Sequence, residues 1–175
     1  MRIAIDIDGV VANLLKEAIR TWGAPRVPYA YSLEEMYPMV PAEEIDKWIS
    51  EPLTYRHLEP IDGAKASIDA LSVSGWRVFF VTHRPLTTAV ETRCWLDAYG
   101  FRWPVYHTDK IRFITHCDVA VEDCLSLAIK LSQERRTYLM DWPYNSGPCG
   151  DAIRVFSWND IIKDLGVSSA DYLSS

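Results

Sequence analysis

Within its first eleven residues the chain sets a short apolar run, Ile3-Ala4-Ile5, against two carboxylates one residue apart, Asp6 and Asp8, and follows them with Gly9-Val10-Val11. Residues two apart on an extended strand project from the same face, so a strand from Arg2 to Asp8 is expected to aim Asp6 and Asp8 at one site. Gly9 lets the backbone turn away directly behind them. In open α/β sheets the carboxyl ends of parallel strands are where ligands sit. Two carboxylates there can hold a divalent cation, with one member acting as nucleophile and the other as acid or base. The same residues also suit a hairpin whose aspartates are solvated around an Asp-Gly turn. The rest of the chain decides between the two readings.

Five further runs have strand character: Trp76 to Thr82, Pro104 to His107, Asp118 to Glu122, Thr137 to Met140 and Ile153 to Trp158. Several are near-continuous β-branched or aromatic runs, as strands covered on both faces require. Helical spacing fills most of the intervals, over Ala64 to Ser74, Thr87 to Tyr99, Cys124 to Glu134 and Asn159 to Leu165. Gly75 and Gly100 follow the first two as helix stops. Strands alternating with helices predict an α/β fold, a parallel sheet with right-handed crossovers. The stretch from 13 to 61 breaks the alternation with six prolines and an aromatic-rich composition. It is expected to be a small helical cap inserted after the first strand, including a helix from Pro41 to Ile49 with proline at its start. The core domain is then 1–12 plus 62–168, with 169–175 as a polar tail.

Composition narrows the function. No stretch approaches the ~20 apolar residues of a membrane span. The apolar run at the N-terminus is too short for a signal peptide and carries two acids, so a cytoplasmic location is expected. The formal charge of −6 argues against a large nucleic-acid surface. Cys94, Cys117, Cys124 and Cys149 form no CxxC pair, and they are expected to be reduced thiols rather than zinc ligands or a redox couple. Nothing in the residues fixes the oligomeric state, and a homodimer is one state open to the chain.

Three more groups fall at predicted strand ends. Thr82 closes an apolar strand and precedes the loop His83-Arg84-Pro85, where a hydroxyl and loop N–H groups can hold phosphate oxygens. Lys110 follows the third run. Glu122-Asp123 ends the fourth, although Asp123 also suits a helix N-cap. Taken together, Asp6, the Asp8 carbonyl and Asp123 form a donor set for Mg²⁺, which favours few carboxylates together with waters and a substrate phosphate. Thr82, His83 and Lys110 would bind the phosphate and offset its repulsion by the acids. Whether Arg84 touches phosphate or pairs elsewhere is left open by the sequence.

With these residues in order, the chain resembles the haloacid dehalogenase (HAD) superfamily of aspartate-nucleophile phosphatases. The resemblance rests on Asp6-Ile7-Asp8-Gly9-Val10, Thr82, Lys110 and Glu122-Asp123, and it spans nearly the whole chain. A narrower resemblance, to the 5′(3′)-deoxyribonucleotidase group, rests on Asp8-Gly9-Val10-Val11-Ala12, Pro60-Ile61-Asp62-Gly63-Ala64, Asp141-Trp142-Pro143-Tyr144-Asn145, and Arg154-Val155 with Trp158. His83-Arg84-Pro85 departs from that group's second motif. The resemblance implies a Rossmannoid core with a cap and a Mg²⁺-dependent phosphomonoesterase acting on nucleoside monophosphates. It implies that Asp6 is the nucleophile and Asp8 the acid–base. It also implies that Asp123 is a direct metal ligand and that Glu122 holds a metal-bound water. Tyr29, Tyr31, Trp48 and Tyr55 are candidates to stack on a base in the cap. Two other functions compete: a 3′-phosphatase on nucleic-acid ends, suggested by Thr92-Arg93-Cys94-Trp95-Leu96, and a nucleotide-sensing binding module that has kept the fold.

Overall fold

The computed structural model describes residues 1–108 and 116–167. Among these, six strands make one parallel sheet in the order β3-β2-β1-β4-β5-β6. They are β1 Arg2–Ile5, β2 Arg77–Thr82, β3 Val105–His107, β4 Val119–Glu122, β5 Arg136–Met140 and β6 Ile153–Val155. Central β1 places Ile3 opposite Val78 on one side and Val119 on the other. Its residues alternate between faces as a strand must. Ile3 and Ile5 enter the main core with Val78, Phe80, Val119 and Val121, while Ala4 joins Val81 and Ala120 in a smaller cluster.

Helices cover both faces, which is why the strands read as apolar throughout. The main core takes Ile68 and Leu71 from α4 (Ala64–Val73), Trp95 and Leu96 from α5 (Ala89–Ala98), and Trp158 and Ile161 from α7 (Trp158–Asp164). On the other face Leu131 of α6 (Leu125–Ser132) packs against Ala4 and Val81. The last strand is shorter than its apolar run. Ser157 accepts a hydrogen bond from the Asp160 amide and caps α7, so Trp158 joins the helix rather than the strand. Its indole then donates to the Val10 carbonyl at 2.8 Å from a fully buried position. The run from Thr87 likewise opens differently, as a 3₁₀ turn over Leu86–Thr88 that leads into α5.

The insertion between β1 and α4 contains α1 (Leu14–Trp22), α2 (Leu33–Met36), α3 (Ala42–Ser50) and a 3₁₀ turn over Pro52–Tyr55. Asn13 caps α1 by accepting from the Lys16 amide, and Pro41 precedes α3. The segment builds its own cluster from Ala18, Met36, Tyr37 and Ile45, with Trp22 and Trp48 against it. Its two ends lie side by side. The Asn13 amide donates to Glu59 O and the Ile61 amide to Val11 O, each at 2.9 Å. The polar tail expected at 169–175 lies outside the described residues.

One expectation fails at the start of the chain. Regular β1 pairing ends at Ile5, not Asp8. Asp6 still donates its amide to Val121 O at 3.0 Å, but the Ile7 carbonyl accepts from the amides of Val10, Val11 and Ala12. The backbone therefore curls at Ile7, and Gly9 completes the turn at φ +75°. Asp6 and Asp8 are not two steps along one flat strand face.

Candidate active site

The carboxyl ends of β1, β2 and β4 open onto a cavity of about 340 Å³. β1 lies where the chain, having added β2 and β3 on one side, returns to add β4 on the other. Such reversals leave a crevice in parallel sheets. Asp6, Asp8, Thr82, His83, Glu122 and Asp123 all line the cavity. Lys110, expected to neutralise phosphate, lies outside the described residues. From the insertion come Leu14, Leu15, Leu33, Met36 and Ile49, together with Tyr31 and Tyr55.

Asp6, Glu122 and Asp123 can each bring one oxygen within 4.8 Å of the others. Glu122 and Asp123 are nearly buried, at 4% and 6% exposure. Burial, the largest cause, together with repulsion from Glu122, Asp123 and Asp8, holds the Asp6 carboxyl well above the ordinary carboxylate range. Glu122 is raised by burial and by Asp123. Asp123 is pushed up to about 7, mainly by burial, even though a hydrogen bond from Tyr144 pulls the other way. Three acids this close are costly as anions unless a cation joins them. Asp123 Oδ1 is buried with no hydrogen-bond partner among the described residues. A hard divalent ion fits this all-oxygen donor set and would satisfy that orphaned atom. The Asp8 carboxylate is not part of the trio.

The other Asp123 oxygen is held. Tyr144 donates its hydroxyl to Oδ2 at 2.7 Å. Asn145 is fully buried and uses every polar valence: its amide donates to the carbonyls of Asp123 (2.7 Å) and Met140 (2.8 Å), and its oxygen accepts from Trp142 N (3.0 Å) and Arg154 Nη1 (2.9 Å). Trp142 donates its indole N–H to Gly9 O at 2.7 Å. The loop after β5 thereby ties Asp123 to the turn behind Asp8. A Cβ at Gly9 would collide with the Asp123 carboxylate and lie 2.7 Å from the Tyr144 hydroxyl. Glycine is needed here for close approach as well as for its positive φ. The sequence had shown Asp141-Trp142-Pro143-Tyr144-Asn145 as a shared stretch without giving it a task. A tyrosine and an amide directly after a strand neighbouring the Glu122-Asp123 strand were the signal available.

Thr82 is buried and accepts the Arg84 amide at 3.1 Å, whereas His83 is exposed at the cavity edge. Arg84, unresolved from sequence, is buried and binds Asp8 with Nε and Nη2 at 2.8 and 2.7 Å. Of the four aromatics proposed for base stacking, two reach the cavity. Tyr31 is half exposed, but its hydroxyl end sits by Asp123, Cys124 and Asp6, and burial there raises its pKa. Tyr55 lines the wall, yet it is 2% exposed and its ring lies under the Arg84 guanidinium at 4.2 Å. Trp48 does not line the cavity. Its ring packs on Trp22 at 4.9 Å, because α3 turns that face toward the insertion's own cluster. Tyr29 is 72% exposed and is also not among the lining residues.

Known proteins share this fold. The family described as 5′ nucleotidase, deoxy (pyrimidine), cytosolic type C protein (NT5C) matches residues 1–170. Solved structures share the fold at low identity. A "predicted phosphatase" from Clostridium acetobutylicum aligns at 14% identity and TM-score 0.66, over 94% of this chain and 97% of its own. A HAD phosphatase from Thermococcus onnurineus aligns at 15% identity and TM-score 0.62, over 96% and 99%. The D,D-heptose 1,7-bisphosphate phosphatase from B. bronchiseptica, complexed with magnesium and phosphate, aligns at 14% and TM-score 0.54, over 94% and 97%. No curated protein matches the sequence significantly.

Proposed function

Since the chain belongs to the deoxy (pyrimidine), cytosolic type C 5′-nucleotidase family, and so to the HAD-type phosphatases, we propose that it is a Mg²⁺-dependent 5′-nucleotidase for (deoxy)nucleoside monophosphates working through an aspartyl-phosphate. The observation that carries this reading is the convergence of Asp6, Glu122 and Asp123 at one end of the sheet, beside Thr82 and Asp8. Asp6, Glu122 and Asp123 would hold the ion, with the Asp8 carbonyl as a further donor. When bound, the ion supplies positive charge against the acids and the phosphoryl oxygens.

The chain's own residues do the rest. An Asp6 oxygen forms a bond to phosphorus as the ester P–O bond breaks, and Asp8 gives its proton to the departing alkoxide. Asp8 then takes a proton from water, which attacks phosphorus and returns Asp6 as a carboxylate. The Thr82 hydroxyl and the N–H groups of the following loop hold phosphate oxygens, with Lys110 balancing charge. The 13–61 segment acts as the cap, and its leucines, Met36 and Ile49 exclude water around the ester. Tyr31 is the aromatic best placed to meet a base, and a cavity of about 340 Å³ is within the range of small-molecule sites.

The test is phosphate release across a panel of nucleoside 5′-monophosphates, 3′-phosphorylated oligonucleotide and sugar phosphates, with and without EDTA. Turnover of the monophosphates that chelator abolishes and Mg²⁺ restores supports the assignment. Asp6→Asn should lose essentially all of it. Undiminished activity in Asp6→Asn, or preference for the oligonucleotide end, overturns it.

A further inference from the structure

We infer that Arg84 is a positioning residue for the reaction: it fixes the plane of the Asp8 carboxylate and, through Tyr55, ties that orientation to the inserted cap. This inference rests on Asp8 being the acid–base group.

The Asp8 carboxylate receives the guanidinium edge-on, Nε to Oδ2 at 2.8 Å and Nη2 to Oδ1 at 2.7 Å. Two parallel bonds set both the direction and the plane of a carboxylate, where one bond would leave it free to rotate. Arg84 is itself constrained on every side. Nη1 donates to Thr92 Oγ1 at 3.2 Å, and Thr92 is fully buried on α5. The Arg84 amide donates to Thr82 Oγ1 at 3.1 Å, and its carbonyl lies 3.2 Å from His107 Nδ1. One face of the guanidinium covers the Tyr55 ring at 4.2 Å, and the Trp95 ring is 5.9 Å away. Tyr55 is anchored in turn by its hydroxyl, which donates to Ile49 O in the insertion at 2.7 Å. The Arg84 side chain is 1% exposed and that of Asp8 22%. The cation is thus a buried wedge, and the carboxylate is the member of the pair that faces the cavity.

A buried cation with this many partners is not a surface pair, and its geometry calls specifically for arginine. A lysine offers one point of charge and no planar face to lay on Tyr55. Unlike the free loop donors proposed for phosphate, Arg84 already engages all three of its side-chain nitrogens with Asp8 and Thr92. Loss of its grip should therefore impair proton delivery to the leaving group more than phosphate binding.

Leaving groups separate these roles. Phenyl phosphate needs its departing oxygen protonated, whereas 2,4-dinitrophenyl phosphate departs without help. With Arg84→Met and Arg84→Lys, kcat/KM for phenyl phosphate is expected to fall about tenfold or more, a scale set by general-acid contributions. On 2,4-dinitrophenyl phosphate the same variants should stay within about threefold of the parent, since that ester does not need the acid. Equal loss on both esters would make Arg84 a phosphate contact or a structural residue and overturn the inference. So would no loss on either, or failure of both variants to fold by circular dichroism. If the unmodified protein hydrolyses neither ester, it is the phosphatase reading that fails. Separately, Thr92→Val keeps the ion pair but removes the Nη1 anchor. It should move the leaving-group dependence in the same direction by a smaller factor, and no movement counts against the positioning role.

Discussion

At the scale of single residues, the acid trio places function in opposition to stability. Asp6, Glu122 and Asp123 are all held above their ordinary range by burial and by one another. Asp6→Asn removes one of these buried acids and the cost of ionising it, so the variant should lose turnover yet melt at a higher temperature than the parent in chelator at about pH 8, read by thermal denaturation. An unchanged or lower melting temperature would mean that the repulsion is relieved some other way. Tyr144→Phe tests the support beneath the candidate metal site. It removes the hydroxyl that donates to Asp123 Oδ2, and the Mg²⁺ concentration for half-maximal activity should rise about tenfold, as is typical when an outer partner of a metal ligand is lost. The acids themselves stood out in the sequence as carboxylates ending apolar runs, although an Asp-Gly turn and a helix N-cap call for the same residues. Arg84 and Tyr144 did not, since an arginine or tyrosine in a loop has many structural uses. Only the three-dimensional partner distinguishes a clamp from a solvated side chain.

The secondary-structure elements follow the sequence wherever burial on both faces leaves one choice. β1, β2, β4 and β5 coincide with β-branched and aromatic runs, and α4 ends just before Gly75 as its spacing implies. The departures have local causes. Ile7 collects three amides and bends the chain away from the sheet, and Ser157 recruits Trp158 into α7. The short α2 and the 3₁₀ turn at Pro52–Tyr55 were missed because a four-residue element carries too little periodicity to read. Trp158 joins α7 to the turn behind Asp6 and Asp8 through its bond to Val10 O. Trp158→Phe keeps most of the ring but strands that carbonyl in the core. It should cost about 1–3 kcal/mol, measured by urea unfolding. A cost near zero would show that water replaces the indole.

For the molecule as a whole, the raised acids predict how stability depends on pH. In the metal-free protein the folded trio retains protons that the unfolded chain has released, from near the ordinary value of 3.8 up to about 7 for Asp123. The native state binds more protons across that interval, so their contribution is complete below it and declines as pH rises through it. Asp160 and Asp164, lowered by their hydrogen bonds to Ser157 and Tyr138, act in the opposite sense and only at the acid end, where they are protonated. Melting temperature in EDTA should therefore drop between about pH 5 and pH 8, and added Mg²⁺ should raise it more at the upper end, where no proton competes for the carboxylates. A Mg²⁺ effect independent of pH would exclude the trio as its binding site. The parallel sheet and the convergence of the acids at its carboxyl end were readable from residue order, whereas the aromatic contacts within the insertion were not, because stacking on a ligand and packing on a neighbour require the same residue types. That insertion leaves the core after Ala12 and comes back at Pro60, and the two crossing points are hydrogen-bonded to each other. Under the proposed cap role, a segment spliced in at hydrogen-bonded ends can vary between them so long as Tyr55 and Leu58 keep their places in the main core. On that reading, segments of other lengths grafted there would redirect the phosphatase to new esters while the residues at the end of the sheet stay as they are.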